Sequence, residues 1–586
     1  MSFTNRAVRV ASRVVIRGLL VNLSLSPVGC QGDGTGDTVD TPGTTPGTTA
    51  PGSDIVPPER RTTWNPGIPG GIPSRTTVCR TVSAATFGNG TSDATAGIQA
   101  AIDACPIGEV VQLSAGDFLV NGEFPITINR GIVLRGAGPT ATKLRKTADN
   151  EIPVVVIGQR WLEEAASANL TASAPKGASS VQVASSSGFG AGQLVVLDQK
   201  TDPSYVYWGT DAAAAPGGPA RGWFTRYDRP IGQVLEIASV SGNTVSFSTP
   251  LHIGFDTAYQ AQLTRYTIPY GANQAGLEDL SVRGGRDDNV TMRLAKHSWV
   301  RNIESDWSKG DSVAMDSSFR CVIRDSYVHD TPDPNPGGGG YLLSIARYTA
   351  DSLVENNIFI NGNKVMVMRA SGGGNVVAYN YFDNGYIAYN RGWMETGVNA
   401  SHMACPHSEL LEGNLAFNID GDDTWGGAVY NTFFRNHATG KRLSFSDTGN
   451  RRAIGLMYGQ YYHSFIGNVL GTADQNPAPQ GGFAYEDLWP WETDPIGLWR
   501  LGYTPNDWEA PADARVVATT HRHGNFDYVT NSVKWASGYG QSLPGSLYLT
   551  GKPAFFGSNP WPWVDPTGST KLHTLPAKAR YDAMAR

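Results

Sequence analysis

The stretch "NIDGDDTWGG", Asn418 to Gly427, places three carboxylates, Asp420, Asp422 and Asp423, within four residues. Like charges this close repel, which drives one of them toward its protonated form. A protonated carboxyl beside an ionised one can carry out acid–base catalysis. In a strand, alternate side chains share a face, so the Cα atoms of Asp420 and Asp422 would stand about 6.6 Å apart. Inverting glycosidases hold two carboxyls about 6.5–9.5 Å apart, with a water between them. A bend at Gly421 would instead bring Asp422 and Asp423 together. Asp447 follows Asp423 by 24 residues and joins the group if the chain repeats at that interval. The same cluster also suits a structural Ca²⁺ loop or a solvated turn.

Two long segments nearby carry further candidates. "NRGWMETGVNASHM" holds Arg391, Trp393, Glu395 and His402, and "HATGKRLSFSDTGNRR" holds His437, Lys441, Arg442, Asp447 and Arg451. The residues read as catalytic are Asp420, Asp422, Asp423, Asp447, His402, Arg369 and Arg435. Those read as holding substrate are Trp393, Glu395, Arg391, Trp425 and Lys441. Trp393 and Trp425 offer flat faces to sugar rings, and Arg435 offers a fork to a uronate carboxylate. A buried coil-edge Trp and an arginine paired with a neighbouring Asp are the plainer alternatives.

The elements that must position these groups repeat. An apolar residue, a polar residue, an Asn or Asp and more apolar residues recur in "LEDLSV", "VRNIES", "IRDSYV", "VENNIF", "VAYNYF", "LEGNLAF", "FFRNHA" and "FIGNVL". With Asp279, Asn302, Asp325, Asn356, Asn380, Asn414, Asn436 and Asn468 as markers, the gaps are 23, 23, 31, 24, 34, 22 and 32. A base period of 22–24 is one coil of a solenoid, and the longer gaps carry insertions. Stacked coils put equivalent residues about 4.8 Å apart, so the marker asparagines are expected to form one internal ladder. The insertions should project together beside the strands they leave and wall a cleft.

Ahead of the repeats, "DATAGIQAAIDAC" reads as a helix capped by Ser92 or Asp93, with Ile98, Ala101, Ile102 and Cys105 on one face. "GNGTSDATAGIQAAID", "VQLSAGDFLV" and "GIVLRGAG" together resemble the opening of the right-handed parallel β-helix proteins of the pectate lyase and polygalacturonase superfamily. The resemblance implies a capping helix over the first coil and action on polysaccharide. "GDD" at Gly421–Asp423 is similar to the Gly-Asp-Asp of polygalacturonase-like inverting hydrolases. Their further Asp one coil earlier is absent here, and "HRHG" at His521–Gly524 falls about four coils too late. Pectate lyases use Ca²⁺ on a carboxylate cluster with an Arg or Lys base, for which Arg369, Arg391, Arg435, Lys364 and Lys441 are the basic candidates.

The chain of 586 residues carries a net charge of −6 and no block of Lys and Arg, which argues against nucleic acid as its partner. Its 69 glycines and 17% charged residues suit many short strands and turns, and 15 Trp and 23 Tyr suit sugar binding. Arg6, Arg9, Arg13 and Arg17 precede a short apolar run ending at Gly29–Cys30, which reads as an export signal with Cys30 as a lipid anchor. "TPGTTPGTTAPGSDIVPP" is then a tether. Cys79 and Cys105 can pair in an oxidising compartment, while Cys321 and Cys405 read as buried thiols or a second bridge.

The expected fold is all-β: a right-handed parallel β-helix with an inserted antiparallel β subdomain and an N-terminal capping helix. Its parts are an export signal over 1–30, a linker over 31–60 and the first coils over 61–151. The inserted subdomain follows over 152–270, the main helix over 271–510 and a C-terminal cap over 511–586. The expected function is cleavage of a polysaccharide, with acidic polymers among the candidates, by an exported or cell-surface monomer that meets a membrane only through its lipid. Inverting hydrolysis by the Asp cluster needs no cofactor. β-Elimination on a uronate polymer with Ca²⁺, and non-catalytic sugar binding at a surface, are the other readings.

Overall fold

In each coil the chain turns from one strand to the next through a single residue with left-handed backbone. These residues are Asp279, Asn302, Asp325, Asn356, Tyr379, Gly413, Arg435, Gly467 and Gly524, with φ between 50° and 65°. Asn, Asp and Gly tolerate that region best, which is why the first four corners carry Asp or Asn. The computed structural model describes residues 54–584 apart from 201, 203–225, 227–228, 267–270, 336–338, 389–396, 424–425, 444–451, 475–483, 488–496 and 504–511.

The coils build a right-handed parallel β-helix of three sheets, as expected from the repeats. Sheet 1 has twelve strands running from Val78–Val82 to His521–His523, and sheet 2 has twelve from Gly116–Leu119 to Ser532–Lys534. Sheet 3 has eleven, from Ile126–Ile128 to Ala484–Asp487. Pairing between successive coils is parallel and in register, so like residues stack inside the coil, and only the terminal strand of sheet 2, Ser532–Lys534, pairs antiparallel. Val300, Ile323, Val354, Val377, Leu411, Phe433 and Phe465 form one buried column of sheet 1. The Phe433 and Phe465 rings lie 4.3 Å apart and nearly parallel.

The asparagine ladder exists, with a slip of one residue. Its members are Asn357, Asn380, Asn414, Asn436, Asn468 and Asn525, each accepting the backbone N–H of the member before it at 2.8–3.0 Å. Each also donates through Nδ2 to a strand carbonyl of the preceding coil, as Asn414 does to Val377 at 2.8 Å. Asn356 is instead the corner residue, and its Nδ2 reaches the Asp325 carboxylate at 2.7 Å. The spacing of 23 from Asn357 to Asn380 restores the coil period. A second ladder closes the corner between sheets 3 and 1: Ser352, Asn375, Glu409, Asn431 and His463 accept or donate in turn. Burial pushes the Glu409 carboxyl up to about 8 against its hydrogen bonds from Asn375 and Gly373.

The helix Thr95–Ala104 covers the first coils through Ile98, Ala101 and Ile102. Asp93 accepts from the Thr95 N–H at 3.0 Å, and Cys79 and Cys105 form a disulfide beside it. Cys321 and Cys405 are buried free thiols. Six antiparallel strands, from Glu164–Asn169 to Gln262–Tyr266, make the inserted subdomain. Leu194, Val196 and Val234 seat it on Leu294, Phe319 and Tyr348 at the corners that follow sheet 3. Val155–Gly158 belongs to sheet 3, so the insertion begins after it.

His521–His523 and Asn525–Asp527 continue sheets 1 and 2 beyond residue 510. The segment after them is not confined to the end of the solenoid. It runs back along the flank: Trp563 donates to Gly413, Tyr548 to Glu355 and Arg580 to the Asn356 carbonyl. With Ile55, Val56 and Trp64 it buries much of the outer faces of sheets 1 and 2.

Two outcomes follow from the ladders. Asn414→Leu leaves the Asn380 N–H unpaired inside the coil and is expected to cost about 1–3 kcal/mol in denaturant unfolding. Glu409 titrates higher in the folded chain than its ordinary 4.5, so stability should fall as pH rises from about 4.5 and level off near 8. That slope should be absent from Glu409→Gln; a wild-type stability flat across this range would contradict it.

Candidate active site

With sheets 1 and 2 largely overlain, chemistry concentrates on the outer face of sheet 3. Side chains alternate along its strands, and Val290, Met292, Val313, Met315, Leu343, Ile345, Met366 and Met368 point into the core. The outward column beside them reads Arg293, Asp316, Ala346 and Arg369 in register over four coils. Asp287, Asp288 and Asp311 come from the turns that lead into the first two of these strands.

These residues line a cleft of about 190 Å³ with Thr291, Gly310, Ala314 and Arg347. Arg369 reaches across it to pair with Asp311, and Nη2 and Nε donate to the Ser344 hydroxyl at 2.7 and 3.1 Å. Asp288 accepts from the Asp311 N–H at 2.8 Å and from the Thr291 hydroxyl at 2.6 Å. Burial pushes the Asp311 carboxyl up to about 7, against the pull of Arg369 and with repulsion from Asp288 and Asp287. Asp287 is raised to about 6 by burial and by Asp288. Burial also works against Asp316, but Arg347 and Arg293 hold it at about 2. One cleft thus contains a carboxyl that burial and neighbouring acids push up toward neutrality and another that two arginines hold ionised.

On the other side of Arg369 lies a second group. The guanidinium stands 5.5 Å from the centre of the Tyr341 ring, and Tyr341 meets His402 edge-on at 6.3 Å. His402 Nδ1 donates to both oxygens of Asp422, at 2.9 and 2.8 Å. Lys364 Nζ and Asn399 Nδ2 reach the same carboxylate at 2.9 and 2.6 Å. Burial pushes Asp422 up, but His402 and Lys364 together bring it well below the usual carboxylate range. Burial lowers His402, against the pull of Asp422. A neutral ring that donates through Nδ1 presents a basic Nε2, the form a general base takes.

The structure therefore brings His402, Asp422 and Arg369 into one place. Asp422 is held ionised, so it orients His402 and has no proton to donate. Asp420, wholly buried, pairs with Arg452 at 2.9 Å and accepts from Asn418 at 2.8 Å. Asp423 is buried beside them. Arg435 lies elsewhere: its guanidinium donates to the carbonyls of Pro544, Leu543 and Val564 and fastens the C-terminal segment. Lys441 pairs with Asp474, and His437 donates to the Gly471 carbonyl at 2.9 Å. Arg391, Trp393, Glu395, Trp425, Asp447, Arg451 and Cys30 lie outside the described residues.

Asp287, Asp288, Asp311, Tyr341, Arg293 and Arg347 were not singled out from the sequence. The coil period was a usable signal for some of them, because Asp311 follows Asp288 by 23 residues and Asp316 follows Arg293 by 23. Among the described residues, the acid, imidazole or thiol groups gathered closely enough to hold a cation are Cys79, Cys105 and Glu109, and the two sulfurs there are joined. The three cleft aspartates do not converge in that way and, so placed, do not fit a carboxylate Ca²⁺ site.

No family model matches the chain, and no curated protein matches it significantly. Solved structures similar to it include the Pseudomonas phage phi297 tailspike gp61, 14% identical with a TM-score of 0.43 over 67% of this chain and 60% of that one. The Gp54 tailspike of Acinetobacter baumannii bacteriophage AP22, solved with A. baumannii capsular saccharide, is 10% identical with a TM-score of 0.39, over 68% of this chain and 65% of that one. Pectate lyase Pel9A is 10% identical with a TM-score of 0.36, over 69% and 77%. The chain thus spans less than two thirds of either tailspike. Likeness at these scores says nothing about reaction or substrate.

The Asp422 carboxylate is the counter-charge to buried Lys364, so Asp422→Asn is expected to destabilise the fold by about 3 kcal/mol. Because its folded value is depressed, the stability it lends is full above about pH 4 and is lost as pH falls below that. Denaturant unfolding of the variant and the wild type at pH 7 and pH 3 should show the difference shrinking at the lower pH.

Proposed function

We propose that this chain is a carbohydrate-active enzyme that cleaves an anionic polysaccharide laid across the outer face of sheet 3. The observation that carries this reading is Arg369, which stands between a protonatable carboxyl, Asp311, and an oriented imidazole, His402, on a rigid parallel sheet. Guanidinium forks suit uronate carboxylates, and strands hold their side chains more firmly than loops do.

The first reading is hydrolysis. Asp311, partly protonated near neutral pH, gives its proton to the glycosidic oxygen, and Asp287 or Asp288 draws a proton from the attacking water. Arg369 and Arg347 hold the acidic group of the sugar. The acid and base thus come from the turns before sheet 3, and Asp422 has an orienting role. The second reading is β-elimination, favoured by the Nδ1–Asp422 bond that leaves Nε2 as the basic nitrogen of His402. There His402 takes the proton next to the uronate carboxylate, Arg369 neutralises that carboxylate, and the bond to the leaving sugar oxygen breaks as the double bond forms. Export belongs to the same proposal, supported by the arginine-rich N-terminus and the disulfide of Cys79 and Cys105. So does action as a monomer, tethered to the membrane only through a lipid on Cys30.

Digestion of a panel of acidic polysaccharides tests the proposal, with reducing ends and the absorbance of unsaturated uronate read together. Under hydrolysis, reducing ends appear without that absorbance, and Asp311→Asn lowers kcat by roughly 10²–10⁴-fold. The rate should then fall as pH rises through about 7, because the protonated form of Asp311 is the donor. Under elimination the absorbance appears and His402→Ala is the more damaging change. Turnover undiminished in both variants would remove the site from catalysis.

A further inference from the structure

The sheet 3 face continues beyond the cleft toward the first coils, and there it changes character. Arg160 and Trp161 follow the strand Val155–Gly158, which pairs in register with Val290–Arg293 of the cleft. The two places are physically joined, since Arg293 Nη1 donates to the Arg160 carbonyl at 2.7 Å and the Gln159 N–H to the Arg293 carbonyl at 2.9 Å. The Arg160 guanidinium lies 4.9 Å from the Trp161 ring and 5.5 Å from the Phe124 ring. Trp161 is 69% exposed and Phe124 61%, the two most exposed large aromatics among the described residues. Isolated exposed apolar groups are ordinary on a protein surface, but two rings flanking one cation are a built arrangement.

Arg160 differs from the other arginines along this edge. Arg293 and Arg347 are both paired with Asp316, and Arg369 with Asp311. Among the described residues no carboxylate lies within ion-pair distance of Arg160, and its side chain donates no hydrogen bond. A second stack on the molecule gives the contrast: Arg283 lies 5.0 Å from the Trp307 ring, but its guanidinium is bound to Asp306 at 2.6 Å. The fork of Arg160 is therefore held in place by two rings with its charge uncompensated.

We propose that Phe124, Arg160 and Trp161 form a distal binding platform for an acidic sugar residue of the polymer. The apolar face of a pyranose lies on the indole, and its carboxylate takes the Arg160 fork in two parallel hydrogen bonds. From the platform strand to the strand of Arg369 there are four strand spacings, about 19 Å at about 4.8 Å each. The platform strand stands one and two spacings from the strands that follow Asp287 and Asp311, so the chain is gripped beside the bond at the cleft and along the path to Arg369, which selects long acidic polymers over short ones. The proposal rests on the polysaccharide reading of the cleft and deepens it.

Affinity electrophoresis of the full chain through gels containing polygalacturonate, alginate, hyaluronate or neutral dextran tests the platform. Trp161→Ala and Arg160→Gln should each weaken retardation by at least one of the acidic polymers by roughly three- to tenfold, without a fall in Tm. Trp307→Ala should migrate as the wild type, and dextran should not retard any of them. Equal retardation of Trp161→Ala, Arg160→Gln and wild type would overturn the proposal. So would equal retardation by dextran, or none by any acidic polymer. Turnover of the same polymers by the wild type separates the two readings: Trp161-dependent retardation without any turnover would leave the platform standing and bring down only cleavage at the cleft.

Discussion

The left-handed corner between sheets 1 and 2 is the constraint from which the rest of the molecule follows. It turns the chain sharply enough that the next residue points into the coil, where only an apolar group or a fully bonded amide can stay. Asn meets that demand because its oxygen takes the N–H of the coil before it and its nitrogen gives to a carbonyl of that same coil and to the amide of the next. Repeated from Asn357 to Asn525, this fixes the register of sheets 1 and 2. The register of sheet 3 follows, and with it the alignment of Arg293, Asp316 and Arg369 in one outward column. A single-residue slip at a corner would turn that column inward.

On this face, charge is arranged by compensation. Asp316 lies between two arginines, Asp422 between His402 and Lys364, and Asp420 against Arg452. The cations hold Asp316 and Asp422 ionised, and all three carboxylates lock their partners in position. Asp311 departs from the pattern because its one cation is offset by two neighbouring acids and by burial. Proton transfer needs a group poised between its two states, and the strongest ion pairs on this face are not poised. A cluster of acidic residues in a sequence therefore says less about catalysis than the count of cations each acid faces.

The repeat was legible because parallel coils stack like residue on like residue, so that the period survives in the text. The same property explains the slip at Asn356. "VENNIF" offers two asparagines side by side, and the corner and ladder positions each accept one. Local pattern does not say which is which until the backbone does. The inserted sheet and the first helix were legible from alternation, turn residues and 3.6-residue periodicity. The site was legible only where chemistry was dense along the chain, as at Asp422 and His402. Asp287, Asp288 and Asp311 are brought together by coil stacking, and a residue's cation partners two coils away leave no trace beside it. Arg435 shows the converse. It reads like a ligand for a carboxylate, yet its three nitrogens each donate to a carbonyl of a segment more than a hundred residues later.

Solenoids are usually held by nearest neighbours, so that each coil can melt from an end while distant coils stay folded. The returning C-terminal segment changes that accounting. It bonds to Glu355, the Asn356 carbonyl and Gly413, and its side chains share an apolar cluster with Phe526 of the last coil. Peeling the last coil therefore disturbs contacts made five coils earlier. A linear stack is thereby tied into a loop of interactions, and its terminal coils lose the independence that fraying requires. The sheet 3 face, which the segment leaves open, gains from this. A substrate pulling along the solenoid axis between Glu355 and Phe526 would load all of these tied coils at once.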